Sequence, residues 1–359
     1  MIFFVAPAQE TWCMEAYLDQ YGGKLLTRIK ILTFEDIAAQ QGLSPGTYIL
    51  SAIDQLSPTE REIAELCWKE LSRASSEITL VNQPAEVLCR YDLLKTCFEL
   101  KRNTFHVARA SNFYRCQNFP VFIRPEHEHT GSLTSLLYTP QQLALALAKT
   151  LRHGYRLRDL IIVEYRETVD SSGIFREYCA SIVGDRIIPQ ALVHNYNWVT
   201  KWEGRLIDAE KAREEREYVE SNPHADWLRK TFELAKIQYG RIDYGFRCGS
   251  PQVWEINTNP MIVRPSGWPP SSTMTAEQRN LRAPMRDRFL REFHAALEAI
   301  DSTVDPNRTI RIDVSRRQQR KLEAEKRLRL RLRARKTAIS FAYELVYPLI
   351  RPLRRLLPR

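Results

Sequence analysis

The segment from Gly240 to Pro260, GRIDYGFRCGSPQVWEINTNP, constrains the fold more than any other part of the chain. Two runs in which apolar and polar residues alternate flank a Gly-Ser-Pro turn at Gly249 to Pro251, a pattern that predicts an antiparallel hairpin. Asp243 lies on the first strand, and Glu255 and Asn257 lie two apart on the second, so that pair points to one face. Three hard oxygen donors on one side of a sheet suit Mg²⁺, which binds a few carboxylate or carbonyl oxygens and takes the rest from water and phosphate. An ordinary hairpin with a polar solvent face would show the same letters, and spacing alone leaves both readings open.

The first 81 residues alternate strand and helix patterns. IFFVA, RIKILTF, TYILSAI and ITLVN read as strands, with helices predicted at ETWCMEAYLDQYG and from Pro58 to Arg73. Ser57 followed by Glu60 three residues on is a capping box for the second helix. The alternation predicts a small parallel α/β layer over residues 1–81. No Gly-x-Gly-x-x-Gly follows the first strand, which argues against an independent dinucleotide site there. Residues 82–300 continue as a second α/β region, with helices predicted at 140–153, 208–220, 223–239 and 275–300. The Pro- and Ser-rich run Arg264 to Thr275 reads as a loop leaving the hairpin.

Five segments in order resemble the ATP-grasp superfamily. EINTNP, with Asp243 on the preceding strand, resembles its magnesium signature. NQPAEVLCRYDLLKTCFEL (Asn82 to Leu100) is similar to the helix that opens its nucleotide-binding half, and FPVFIRPEHEHTGS (Phe119 to Ser132) to its phosphate strand and loop. LIIVEYRE (Leu160 to Glu167) is similar to the adenine hinge, and IFREYCASIVGDRII (Ile174 to Ile188) to a strand pair carrying an arginine near the phosphates. The resemblance covers residues 80–265 and implies two α/β lobes that clamp ATP. It implies Mg²⁺ on Asp243, Glu255 and Asn257. It puts Glu164 and Tyr165 at adenine and ribose, Arg124, Lys95 and Lys201 at phosphate, and Arg176 and Arg241 as catalytic charges on the phosphate or a substrate carboxylate.

Two departures bear on the phosphates. Leu93 stands where the family has lysine, and the nearest lysine, Lys95, is about 200° further round a helix. Arg124 replaces another lysine, keeping the charge and adding a fork that spans two phosphate oxygens. In EHEHTG the two glutamates would repel a phosphate, and His127 and His129 lack the further partners a transition metal needs.

The chain of 359 residues is 44% hydrophobic, enough for two or three domains with cores. Seven scattered cysteines without a Cys-x-x-Cys pair suggest a reducing cytoplasm and exclude a disulfide frame or zinc module. The net charge of +10 is not spread evenly: residues 308–359 hold seventeen Lys/Arg and four Asp/Glu. That block reads as a separate basic helical tail, assigned to residues 301–359. Its apolar stretch TAISFAYELVYPLI (Thr337 to Ile350) is too short to span a bilayer. Basic residues on both sides of it suit an anionic membrane surface, ahead of protein docking and of nucleic acid.

The expected function is an ATP- and Mg²⁺-dependent ligase that activates a carboxylate as an acyl phosphate for attack by an amine. A phosphotransferase that stops at the phosphorylated acceptor, and a non-catalytic ATP-binding regulator, are the alternatives.

Overall fold

The computed structural model describes residues 1–40, 42–75, 77–129, 131–200, 204–267, 274–302 and 308–332. They fall into two compact units, one of Met1–His106 with Arg166–Ser315, the other of Val107–Tyr165 with the segment from Arg316.

The first unit begins with β1 (Ile2–Val5), α1 (Trp12–Tyr21), β2 (Ile29–Leu32), α2 (Phe34–Gln40), β3 (Gly42–Leu43), β4 (Thr47–Leu50), α3 (Pro58–Ala74) and β5 (Thr79–Val81). The expected parallel layer is present, with strand order β2-β1-β4-β5. β1 reads IFFV because a parallel strand is covered on both faces, and all four residues are buried. Helix α3 starts on the predicted Ser57–Glu60 capping box. After β5, Asn82 takes a left-handed backbone (φ +66°) and its carboxamide joins two sheets. Its Nδ2 donates to Leu50 O (3.1 Å) and Tyr239 O (2.8 Å), while its Oδ1 accepts from the amides of Gln238 (2.9 Å) and Tyr239 (3.0 Å). The chain therefore turns through residues 83–89, and α4 covers only Arg90–Glu99 of the longer helix expected.

The second unit holds β6 (Val107–Arg109), β7 (Val121–Pro125), α5 (Pro140–Arg152) and β8 (Leu160–Glu164), the strands forming an antiparallel sheet in the order β6-β8-β7. Helix α5 is capped by Thr139, with Pro140 at its first position, where a missing N–H costs nothing. Its Leu143 and Leu147 pack on Val121, Ile123, Leu160 and Ile162 of one sheet face. Residues 316–332 are helical, with Leu322 buried.

The first unit resumes with β9 (Phe175–Val183), β10 (Arg186–Asn195), α6 (Ala209–Ser221), α7 (Ala225–Ala235), β11 (Tyr239–Arg247), β12 (Ser250–Asn257), α8 (Ala276–Ile300) and β13 (Ile310–Arg311). The four long strands make an antiparallel sheet, β10-β9-β11-β12. Helix α7 stops four residues short of the predicted end, because Lys236 turns left-handed (φ +58°) and delivers Tyr239 to β11 as a buried strand residue. One apolar core joins Phe4 and Tyr17 of the first layer to Tyr239 and to Phe289 and Phe293 of α8, with Tyr17 edge-on to Phe293 at 5.2 Å. Removing the Phe293 ring would cost about 3–5 kcal/mol. Strand β12 is outermost, and Asn103 lies along its free side, bonding both the carbonyl (3.0 Å) and the amide (2.8 Å) of Val253.

The C-terminal boundary needs a correction. β13 pairs with β3, and Ile310, Ile312 and Val314 are buried, so residues 308–315 complete the first unit. The basic segment leaves the first unit only at Arg316, because apolar residues interleaved among the first arginines tie the earlier part down. Thr337 to Ile350 lies outside the described residues.

Candidate metal and nucleotide site

The predicted hairpin forms, with a tighter turn than expected. Only Cys248 and Gly249 link β11 to β12, at φ +50° and +76°, and Ser250 and Pro251 already belong to the strand. Two left-handed residues in sequence match the right-handed twist of a two-residue hairpin. Asp243 stands directly opposite Glu255, and Arg241 opposite Asn257. Opposed residues share a face, so all four side chains lie on one side of the sheet. Past this point a bulge at Trp254 shifts the register, and its indole stacks on Phe105 at 5.6 Å. Gly240 is required at the start of the motif: a Cβ there would stand 2.9 Å from the carbonyl oxygen of Asn257.

The neighbouring strand adds Glu177 and Cys179 to the same face. Asp243 pairs with Cys179 across β9, and one donor atom from each of Glu177, Cys179 and Asp243 lies within 4.8 Å of the others. Burial, then the charge of Asp243, pushes the Glu177 carboxyl up to about 8, and Thr200 Oγ1 donates to it. Burial also raises the Cys179 thiol far above its usual range. Around this thiol the face offers the oxygens of Glu177, Asp243, Glu255 and Asn257.

Each predicted metal ligand has a protein partner. Arg241 forks onto Asp243, Nε to Oδ1 and Nη2 to Oδ2, both at 2.9 Å. Burial opposes the Arg241 charge, and Asp243, Cys179 and Glu255 together more than restore it. Arg90, at the first turn of α4, places Nη2 2.6 Å from Glu255 Oε2. Asn257 Oδ1 accepts the amide of Asn259 at 2.7 Å. The loop beyond is fixed in turn: Ser51 Oγ donates to Thr258 O (2.8 Å), the amide of Ile53 to Thr258 Oγ1 (2.9 Å), and Asn259 Nδ2 to Glu10 O (2.9 Å). Two carboxylates and a carboxamide on one face, oriented before any ion arrives, fit a hard divalent cation.

The remaining predicted residues separate into three groups. Arg124 lies on β7 of the second unit, on the sheet face opposite the α5 core, because Val121 and Ile123 take the inner face. Arg109 of β6 joins it there: both pair across Ile161, one from each side. Glu126 is buried in an ion pair with Arg109 and does not project as a repulsive loop charge, which corrects the expectation for EHEHTG. Glu164 and Tyr165 end β8, but the Glu164 side chain accepts from Asn118 Nδ2 (2.8 Å) and shares the face of Val121. The Tyr165 amide bonds Pro120 O at 2.8 Å.

Two placements depart from expectation. Lys95 faces solvent, its side chain 49% exposed and 3.7 Å from Glu99, because α4 buries Arg90, Leu93, Leu94 and Cys97. Arg176 turns to the opposite side of β9 from Glu177, where Nε bonds Glu214 (2.7 Å) and Nη1 pairs with Asp170. His194 closes that network, 2.8 Å from Glu214, and Glu214 is held down at about 2, first by the His194 bond. Lys201 lies outside the described residues.

By chain course, the protein is similar to D-alanine–D-alanine ligases. The Bacillus anthracis enzyme complexed with ATP matches over 83% of this chain and 99% of its own, at 11% identity and a TM-score of 0.42. The Coxiella burnetii ligase matches over 83% and 97%, at 12% identity and a TM-score of 0.41. A RimK domain ATP-grasp protein from Sphaerobacter thermophilus matches over 81% and 98%, at 11% and 0.42. No family model and no curated protein matches the sequence.

Three residues of the site escaped the sequence reading. Arg90 sits one helical turn before Leu93, and a helix starting at Arg90 would have shown that the two share an inner face. Glu177 is adjacent to the arginine chosen in its place; strand alternation separates the two, but only the sheet order shows which faces Asp243. Arg109 carries no local signal, since its partnership with Arg124 arises from pairing across β8.

Proposed function

We propose that this chain is an ATP- and Mg²⁺-dependent ligase of ATP-grasp type, acting in the cytoplasm. It would convert a carboxylate to an acyl phosphate, which an amine attacks to give an amide, ADP and phosphate. The observation that carries this reading is the convergence of Asp243, Glu255 and Asn257 on one face, each already oriented. Magnesium held by these three oxygens would neutralise phosphate charge as the γ-phosphoryl group moves. Arg241 and Arg90 would supply positive charge beside it. Arg124 and Arg109 give the second unit a two-arginine face for phosphate oxygens. Glu164 and Tyr165 would meet adenine and ribose, as the sequence resemblance implies.

The test is ADP release from ATP and Mg²⁺ with a panel of carboxylates, with and without amines. Release that requires the amine supports the ligase. Release without it makes the chain a phosphotransferase, and tight ATP binding without release makes it a regulator.

The basic segment would hold the protein at an anionic membrane surface. Among residues 316–332, Arg316, Arg317, Arg320, Lys321, Lys326, Arg327 and Arg331 are exposed, together with Leu328 and Leu330. Attraction to anionic lipid contributes about 1 kcal/mol per basic residue near the surface. No described helix is long and apolar enough to cross a membrane. The full chain should sediment with anionic vesicles at low salt and leave them when Arg320 and Arg327 are changed to Glu; equal binding to neutral vesicles would refute the proposal.

A further inference from the structure

Helix α4 carries two cations, and only Arg90 enters the protein, its side chain 2% exposed and 2.6 Å from Glu255. Leu93, where the phosphate lysine was expected, is sealed in the core, so Arg90 is the one positive charge this helix brings to the site. On the same face Arg241 covers both oxygens of Asp243. Two guanidiniums therefore already balance the two carboxylates that a cation would need. A divalent ion arriving alone would have to displace an arginine and then sit beside it, like charge against like charge.

We infer that Arg90 competes with the divalent cation for Glu255, so that this site resists the free ion and accepts it together with a polyphosphate that takes over Arg90. The inference rests on the reading of Asp243, Glu255 and Asn257 as metal ligands. Arginine suits the exchange, because its planar fork matches carboxylate and phosphate oxygens alike. The apparent affinity for the free ion is reduced by the fraction of time Glu255 spends on Arg90, and adding a polyphosphate removes that reduction. Arg90 is then a positioning residue: it holds a ligand of the metal in one state and the nucleotide in the other.

The experiment titrates the full chain with Mn²⁺, followed by electron paramagnetic resonance, alone and with a non-hydrolysable ATP analogue. Wild type should bind Mn²⁺ weakly alone and much more tightly with the analogue. Arg90→Gln should bind Mn²⁺ alone about tenfold more tightly, the size of effect partners of metal ligands produce. The same variant should bind the Mn²⁺-analogue pair more weakly than wild type. A purely structural Arg90 would instead lower both affinities, and unchanged or weaker binding of Mn²⁺ alone overturns the inference. Arg90→Lys preserves the buried charge in case Arg90→Gln does not fold; a lysine holds a carboxylate less firmly than the fork, so Mn²⁺ alone should bind about threefold more tightly. No gain there overturns the inference as well. If wild type takes no analogue at all, the nucleotide reading falls, and the Mn²⁺ arm by itself upholds or overturns the hold of Arg90 on Glu255.

Discussion

Arg241 and Arg176 lie on opposite faces of one antiparallel sheet, and both form ion pairs with two carboxylate oxygens or two carboxylates. Arg241 pairs with Asp243 and Arg90 with Glu255, and both carboxylates share a face of hard oxygens with Glu177 and Asn257. Around Arg176 the partners are Asp170, Glu214 and His194, and beyond them the face becomes aromatic. Tyr178 stacks on Tyr244 at 5.3 Å, and a hydrogen-bond chain runs from His224 Nδ1 to Tyr244 (2.8 Å), to Tyr218 (3.2 Å) and to Cys179 O (3.0 Å). Similar pairs thus serve different ends. One set holds the carboxylates proposed as metal ligands; the other fastens α6 and α7 to the sheet.

The sharpest way to break this comparison is to cut one group on each face. Glu255→Ala should weaken Mg²⁺-dependent ATP binding by about 100-fold or more, since even partners of metal ligands cost about 10–100-fold. Arg176→Met should leave that affinity unchanged and lower stability by about 1 kcal/mol, as partly exposed pairs do. Calorimetry that finds equal affinity losses would make the two faces functionally alike.

Gly240→Ala probes the first face through its backbone. The new methyl must push against the Asn257 carbonyl, so stability should fall by about 1–3 kcal/mol in urea unfolding, with metal affinity falling too. A stable variant that loses no metal affinity would mean the strands separate there without moving Asn257. On the other face, Tyr244→Phe leaves Tyr218 and His224 each one partner short, and should cost about 1–2 kcal/mol with no change in nucleotide binding.

The smallest effect is in acid. Glu214 titrates at about 2 in the folded chain, below the ordinary carboxylate value of 4.5, because His194 and Arg176 bond it. Its contribution is fully present above about pH 4.5 and is lost as pH falls toward 2. Glu214→Gln should therefore flatten the acid side of a stability–pH curve without moving the neutral plateau. An unchanged acid slope would show that the network does not fasten α6.

Much of this was legible in the letters. Period-two alternation and a Gly-centred turn are local, so the hairpin, its two carboxylates and its carboxamide could be read directly, as could the parallel layer and the Ser57 cap. Long-range register was not legible. Lys95 and Arg90 are five residues apart, and which one faces inward depends on where α4 begins, which Asn82 decides by bonding to residues 238 and 239. Arg176 and Glu177 are neighbours whose roles follow from which face of β9 receives α6. The tail boundary was hidden for the opposite reason: its charge is local and conspicuous, while Ile310 is buried where it pairs with Leu43, hundreds of residues away.

Strand β12 carries Glu255 and Asn257, yet among the described residues no further strand covers its outer side. An open row of amides and carbonyls invites pairing with another molecule. Here one carboxamide, that of Asn103, occupies the Val253 amide and carbonyl, and Gln252 engages the Thr104 amide beside it at 2.7 Å. The consequence concerns solubility. Asn103→Ala should make the chain self-associate more than the parent with rising concentration, visible by light scattering, and the strand lost to such assemblies would be the one that bears Glu255 and Asn257.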